Sequence, residues 1–143
     1  MNDMAARISA ETTVGEVMTR ELVTLKIDDT LRLADDMMNL AQVRHFPVMR
    51  GDEVAGIIHQ IDLLHASMAS LVRHPTESPR ETLGAVAVKD VMKTADTISA
   101  ETSVFAAARL MVERGIECLL VVEQGKLVGL VSRTDLLREL TKR

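Results

Sequence analysis

The chain has 143 residues, of which 47% are hydrophobic and 27% are charged, enough for one compact domain with a buried core. Its 17 basic and 21 acidic residues give a net charge of −4. Because the basic residues form no block, nucleic acid and membrane surfaces are not expected partners.

Residues 1–12 are predicted to form an N-terminal extension. They lack the basic-then-apolar order of a signal peptide, and charged residues or histidine interrupt every apolar stretch well before the roughly 20 residues that span a bilayer. The single cysteine, Cys118, cannot close an internal disulfide. We therefore expect a cytoplasmic protein without a membrane partner.

The next segment predicts a helix, a hairpin and a second helix. Asp28, Asp29 and Thr30 offer helix caps, and apolar residues then follow at helical spacing. Residues 46–49 and 54–58 are predicted to form an apolar hairpin around a turn at residues 50–52, and a helix starts near Asp62. Residues 71–83 contain two prolines and predict an exposed linker.

The second half predicts the same order of elements. Thr102 and Ser103 are placed to cap a helix that starts at Val104, and Gly115 is placed to end it. Residues 119–122 and 127–131 predict a hairpin with its turn at residues 124–125.

The two halves are copies of one pattern. Residues 56–64 match residues 129–137, an offset of 129 − 56 = 73, and residues 14–18 match residues 88–92 at an offset of 74. The offset of 73 also pairs positions that are apolar in both copies, which predicts a shared core. These pairs are Leu31/Val104, Ala34/Ala107, Met38/Met111, Val43/Ile116, Val48/Val121 and Val54/Leu127.

Both copies resemble the CBS-motif family, whose pattern is Val-Met-Thr, an extended segment, a capped helix, and an apolar hairpin leading into Gly-x-x-[Ser/Thr]-x-x-Asp. The resemblance assigns residues 13–70 to motif 1, residues 71–83 to the linker and residues 84–143 to motif 2. It implies an α/β (α+β) fold of two tandem β-α-β-β-α motifs. The motifs would pack about a pseudo-twofold axis as one Bateman module with two clefts.

The resemblance also implies a function. Such modules sense adenosine-containing ligands, namely AMP, ADP, ATP, NAD or S-adenosylmethionine, and they regulate an enzyme, transporter or channel. They usually form homodimers. We therefore expect a regulatory ligand, no required cofactor and no catalysis.

The Gly-x-x-[Ser/Thr]-x-x-Asp stretch also suits such a ligand on physical grounds. Glycine permits close backbone approach, and Ser132 and Asp135 lie on one face of a first helical turn. A carboxylate can accept hydrogen bonds from both ribose hydroxyls. The alternative is that both residues simply cap the last helix.

The resemblance places eight residues in a main nucleotide cleft. Two valines and Leu130 would hold the base, while Arg44 and His45 would meet phosphate. Arg44 could instead be an exposed charge at a strand edge. The eight residues are Thr19, Val23, Val43, Arg44, His45, Leu130, Ser132 and Asp135.

His59 and Asp62 would belong to a second cleft that departs from the family pattern. His59 occupies the Ser/Thr position, Leu120 replaces the proline that Pro47 matches, and Glu117 stands where Arg44 does. An acidic residue there would repel phosphate. The second cleft is therefore expected to be empty, weak or specific for a nucleoside without phosphate.

Other functions have weaker support. The sequence has no Gly-x-Gly-x-x-Gly or Walker pattern and no zinc-ligand spacing, although His59, Asp62 and His65 could share a helix face. No metal site or catalytic residue is predicted, and Cys118 is assigned no chemistry. The main alternative is a structural dimerisation module that binds a protein partner without nucleotide.

Overall fold

The structure is a computed structural model that describes residues 12–142. The predicted N-terminal extension lies outside the described residues except for Thr12. Among the residues described, no helix has both the length and the apolar character needed to cross a membrane.

The described chain contains six α-helices, one 3-10 turn at Val88–Asp90 and six strands. In chain order the elements are α1 (Val14–Val17), β1 (Leu25–Lys26), α2 (Leu31–Ala41), β2 (His45–Arg50), β3 (Glu53–His59), α3 (Gln60–Arg73), α4 (Pro79–Leu83), β4 (Thr97–Ile98), α5 (Val104–Arg114), β5 (Cys118–Glu123), β6 (Lys126–Ser132) and α6 (Arg133–Thr141).

The chain divides into two compact units. One unit contains residues 23–95, and the other joins residues 12–22 to residues 96–142. This division does not follow the repeats, because the segment that begins each repeat belongs to the unit built around the other repeat's hairpin. We call the units the first-hairpin unit and the second-hairpin unit.

The first-hairpin unit contains a three-stranded sheet in the order β1-β2-β3. The β1 strand is parallel to β2, and β2 and β3 form the predicted hairpin, with a register shift between Val48 and Met49. The apolar face of this sheet packs against helices. The buried core is Leu25, Leu31, Ala34, Met38, Phe46, Val48, Ile58, Leu63, Leu83 and Val88.

The second-hairpin unit repeats this arrangement as a sheet in the order β4-β5-β6, with a register shift between Val121 and Val122. The mixed α/β fold of two repeated motifs is therefore confirmed. The buried core is Val14, Met18, Val104, Ala107, Met111, Leu119, Val121, Val131 and Leu136. Four of the six predicted core pairs are buried in both copies, while the residues of the other two pairs, Val43/Ile116 and Val54/Leu127, are only partly buried.

The predicted helix caps are present. The Thr30 hydroxyl accepts a hydrogen bond from Leu33 N at 3.1 Å, and the Ser103 hydroxyl accepts one from Ala106 N at 3.0 Å. Gly115 ends α5 in the left-handed conformation with φ 63°, whereas Gln42 takes that conformation at the end of α2 with φ 56°. Only the second copy has glycine, the residue that favours the left-handed conformation, at the end of this helix.

The predicted linker segment contains part of α3 and the short helix α4. Leu83 of α4 is buried in the first-hairpin core. Arg80 donates to both carboxylate oxygens of Asp36 on α2, at 2.7 and 3.0 Å, and this hydrogen bonding lowers the pKa of Asp36. The segment thus packs back onto its own unit.

Candidate functional site

The candidate site in the second-hairpin unit lies where β6 meets α6. Ser132 ends the strand and caps the helix, and Asp135 is the third helical residue. Ser132 N and Oγ lie 2.9 and 3.1 Å from Asp135 Oδ2, and Asp135 N donates back to Ser132 Oγ at 3.2 Å. The capping role that the sequence left open is therefore present.

Thr19 completes this site from the segment after α1. Its backbone pairs with Leu130 through hydrogen bonds of 2.8 and 3.0 Å. This pairing places Thr19 Oγ1 at 3.3 and 3.4 Å from the two oxygens of Asp135. Four predicted site residues, Thr19, Leu130, Ser132 and Asp135, are thus brought together in one unit.

Asp135 is a buried carboxylate, only 7% exposed, with two different oxygens. Oδ2 accepts short bonds from Ser132, while Oδ1 has only longer contacts, to Thr19 at 3.3 Å and to Arg138 NH1 at 3.4 Å. Hydrogen bonds weaken towards this distance. The capping interaction therefore occupies Oδ2. Oδ1 has only weak contacts, which a ligand hydroxyl could replace.

The matched site in the first-hairpin unit has different chemistry. Asp62, 2% exposed, accepts a 2.8 Å hydrogen bond from His59 N on Oδ2. Its Oδ1 lies 3.2 Å from Lys93 Nζ, and Lys93 pairs with Ile57 through two backbone bonds of 2.9 Å. Lys93 thus takes the place that Thr19 has in the other unit.

The glycine of each motif is closely packed, and at Gly56 the neighbouring atom belongs to the backbone. A Cβ atom on Gly56 would lie 2.7 Å from Lys93 O, and one on Gly129 would lie 2.3 Å from Sδ of the Met18 side chain. Both glycines lie within their strands, three residues before the strand ends. They let the segments that contain Met18 and Thr19, or Met92 and Lys93, lie against the hairpins; we call these the bridging segments.

His45 and His59 contact each other across β2 and β3. They are register partners whose Nδ1 atoms are 2.8 Å apart, with the rings nearly perpendicular. The family resemblance implies that these two histidines belong to different clefts. Their contact follows from the register of the hairpin, in which residues 45 and 59 are partners.

The remaining predicted main-cleft residues, Val23, Val43 and Arg44, belong with His45 to the first-hairpin unit. Val23 and Arg44 are exposed, whereas Val43 packs against that unit's core. Their roles in ligand binding stay predictions.

Lys93 and Arg138 contact the two aspartates but are not among the residues predicted from the sequence. The repeat offset of 74 that matches residues 14–18 with 88–92 pairs Thr19 with Lys93 when it is extended by one residue. Arg138 lies three residues after Asp135, a spacing that brings helix side chains together.

The residues thought to weaken the second cleft have partners within the second-hairpin unit. Glu117 Oε1 lies 3.5 Å from Arg133 NH2 in an exposed ion pair. Leu120 is fully buried and pairs with Leu130 in the hairpin. Next to Glu117, burial raises the pKa of the Cys118 thiol to about 12, with smaller contributions from Asp135 and Glu117.

A metal centre has no support in residues 12–142. No three side chains from His, Cys, Asp and Glu are grouped there in a way that could hold an ion, including His59, Asp62 and His65.

Comparison with known proteins identifies the family to which these motifs are similar. The model of the CBS domain matches the chain twice, at residues 14–69 and 88–142. A CBS domain-containing protein of Dictyostelium discoideum is 33% identical over 132 residues, which are 90% of this chain and 91% of that protein.

Solved structures show the same fold. The CBS domain of a CBS domain-containing membrane protein from Sphaerobacter thermophilus has a TM-score of 0.79 and 28% identity, covering 96% of this chain and 92% of that one. CBSX2, solved in complex with AMP, has a TM-score of 0.73 and 28% identity, covering 90% and 95%.

Proposed function

Because the chain belongs to the CBS-domain family and carries two such domains, we propose that it is a regulatory module that binds an adenosine-containing ligand at Asp135 and signals to a partner protein. The ligand would be AMP, ADP or ATP, or else NAD or S-adenosylmethionine. The partner would be an enzyme or transporter acting as a separate chain.

The observation that carries this proposal is the state of the Asp135 carboxylate. It is 7% exposed, its Oδ2 is held by Ser132, and its Oδ1 has only contacts of 3.3 and 3.4 Å. A ribose diol offers two adjacent hydroxyl donors, and it can replace the weak contacts at Oδ1 with shorter charge-assisted bonds. The helix cap would hold the carboxylate in place for this exchange.

CBSX2 supports the proposed ligand class. That protein was solved with AMP, and it shares 28% identity and 90% coverage with this chain. Leu130 pairs with Thr19 beside the carboxylate, and its apolar side chain is 8% exposed.

Thermal melting tests the proposal. A ligand that binds only the folded state stabilises it by RT ln(1 + [L]/Kd), about 2.7 kcal/mol at a hundredfold excess over Kd. We expect at least one of the five adenosine compounds to raise Tm, with the matched guanine nucleotides doing less. Absence of a shift with all five at millimolar concentration would favour a structural module instead.

A second function, homodimerisation, is favoured by one helix face of the first-hairpin unit. Ile61, Leu64, Met68 and Leu71 recur along one side of α3, and each is about half exposed. Contiguous exposed apolar surface of this kind is typical of protein interfaces. A second copy of the chain would cover it through the same face, as twofold assembly requires.

Light scattering at micromolar concentration tests this dimer. We expect twice the chain mass of 15.7 kDa, and we expect Met68→Glu to halve it. Leu40→Glu, at an 88% exposed position on α2, is the matched control and should leave the mass unchanged. A monomeric wild-type chain would contradict the dimer.

A further inference from the structure

The two repeats place different residues over their matched carboxylates. In the second-hairpin unit the backbone of Thr19 pairs with Leu130, and its hydroxyl faces Asp135. In the first-hairpin unit the backbone of Lys93 pairs with Ile57, and its ammonium group faces Asp62. We call Thr19 and Lys93, which pair with the hairpins, the bridge position of their units. The two sites differ most in chemistry at this position.

The backbone at this position is fixed, so that the side chain alone determines what covers the carboxylate. Two hydrogen bonds of 2.9 Å join Lys93 to Ile57, and Lys93 O lies against Gly56 without room for a Cβ atom. Bonds of 2.8 and 3.0 Å hold Thr19 in the same way. A threonine in place of Lys93 would occupy the same backbone site.

Both oxygens of Asp62 are already engaged. Oδ2 accepts the His59 N–H at 2.8 Å, and Oδ1 is paired with the Lys93 ammonium at 3.2 Å. A ribose hydroxyl that binds Oδ1 must separate this ion pair, and a neutral sugar offers no anion to the released ammonium. Asp62 is only 2% exposed, so that water compensates its carboxylate poorly for that separation, while the Lys93 side chain is 60% exposed.

Asp135 also has a cationic neighbour, but in a different position. Arg138 reaches Oδ1 from the next turn of the same helix at 3.4 Å, with its side chain 63% exposed. The Lys93 side chain is almost as exposed, at 60%, so that the two cations differ in their distance from the carboxylate oxygen, 3.2 Å for Lys93 and 3.4 Å for Arg138, and in the backbone pairing that holds Lys93. Thr19, which is held by the matched pairing, carries a neutral hydroxyl that can rotate to suit a ligand.

We propose that the Lys93–Asp62 ion pair closes the carboxylate of the first-hairpin unit to ribose hydroxyls, so that Lys93 limits the chain to one adenosine ligand. This inference rests on the proposed function, since it assumes that Asp135 binds a ribose. It makes one lysine, rather than His59 or Glu117, the main reason for the difference between the sites.

The test is calorimetric titration of the full chain with adenosine and with AMP. Adenosine lacks phosphate, so that it reports the sugar subsite without a direct charge contact to Lys93. The Lys93→Thr variant, which copies Thr19, should raise the number of adenosine molecules bound per chain from one to two. Adding Asp62→Ala to that variant should remove the second molecule.

Two further variants serve as matched controls. Lys93→Arg keeps the charge and should leave the stoichiometry at one. The reciprocal Thr19→Lys change should weaken adenosine binding at Asp135 by about 10-fold or more, as expected when a carboxylate loses a ligand hydrogen bond. Thr19 and Lys93 are both exposed, and melting curves establish that each variant is folded.

Unchanged stoichiometry in a folded Lys93→Thr variant would overturn the inference while leaving the proposed function in place. Two molecules bound by wild type, with one of them weakened by Lys93→Thr, would also overturn it, because Lys93 would then be a ligand-binding residue. If wild type binds none and Lys93→Thr binds one, the inference stands and the assignment of Asp135 fails. If neither binds, both fail.

Discussion

Asp135 and Asp62 are the same residue in the same helical position, yet their neighbours set them apart. Each accepts the backbone N–H of its cap residue, at 2.9 and 2.8 Å. Hydroxyls of Thr19 and Ser132 surround Asp135, whereas the Lys93 ammonium covers Asp62. A shared structural role is thus combined with unequal availability to a ligand.

Replacing each aspartate by alanine separates these roles. Both variants should lose about 0.5–2 kcal/mol of stability, because each removes the carboxylate that accepts the backbone N–H of the helix-cap residue. Only Asp135→Ala should greatly weaken adenine nucleotide binding, by about 10- to 150-fold, the value of hydrogen bonds to a charged group. Melting curves and calorimetric titrations of the same two variants measure both effects.

Equal losses of affinity would show that both repeats bind nucleotide. A loss confined to Asp62→Ala would reverse the assignment of the site. Unchanged affinity in both variants would show that the aspartates act only as caps.

The buried environment of Cys118 predicts a thiol of low reactivity. Burial raises the pKa of its thiol to about 12, whereas an unfolded cysteine titrates near about 8.5. We expect iodoacetamide to modify the folded chain very slowly at pH 7.5 and still slowly at pH 9, with fast modification in denaturant. Rapid labelling of the folded chain at pH 7.5 would contradict this prediction.

The same shift has a consequence for stability. The folded pKa lies above the unfolded one, so that above about pH 8.5 the unfolded chain releases a proton that the folded chain retains. The contribution of Cys118 to stability is therefore complete below that pH and decreases as the pH rises towards 12. A Cys118→Ala variant should lose this part of the alkaline dependence.

At the scale of elements, the two copies end their first helices differently. Gln42 and Gly115 both adopt the left-handed conformation, with φ 56° and 63°. This conformation costs a residue with a Cβ atom roughly 1–2 kcal/mol, whereas glycine adopts it freely. Gln42 recovers part of that cost through a 3.2 Å bond from Nε2 to Asn39 O.

Gln42→Gly should therefore stabilise the chain by about 0.5–1 kcal/mol, and Gly115→Gln should destabilise it by a similar amount. Urea unfolding measures both changes, and an unchanged m-value would show that the comparison concerns stability alone. Destabilisation by Gln42→Gly would mean that the side-chain bond outweighs the backbone cost.

The sequence predicted the elements whose signals are local. Helix α5 begins after Ser103 and ends before Gly115 as expected, and both hairpins lie within a residue or two of their predicted positions. Helix α4 was not predicted, because Leu83 is held by tertiary packing rather than by a strong local pattern. Short strands such as β1 and β4 depend in the same way on a partner that is distant in the sequence.

At the scale of the whole molecule, the long-range backbone pairing of Thr19 and Lys93 explains which site residues could be predicted from the sequence and which could not. The Gly-x-x-[Ser/Thr]-x-x-Asp stretch indicated Ser132 and Asp135 directly. Thr19 and Lys93 join their aspartates only because each bridging segment pairs with a hairpin more than 30 residues away, at Leu130 and Ile57 respectively. Resemblance supplied Thr19, whereas Lys93 could be reached only by extending the repeat offset of 74 by one residue.

The chain contains two copies of one motif, and our proposal leaves one of their two carboxylates available, which would suit a module that reports one regulatory ligand. The proposed partner protein would respond to the occupied or empty state of that site. Any such response begins with ligand binding, so binding itself is the claim on which the rest depends.

Calorimetric titration of the purified wild-type chain with the five adenosine compounds, beside GMP and GTP, tests that claim most directly. We expect saturable binding of at least one adenosine compound at close to one molecule per chain, and much weaker binding of both guanine nucleotides. No binding of any adenosine compound at millimolar concentration, or equal binding of the guanine nucleotides, would contradict the account.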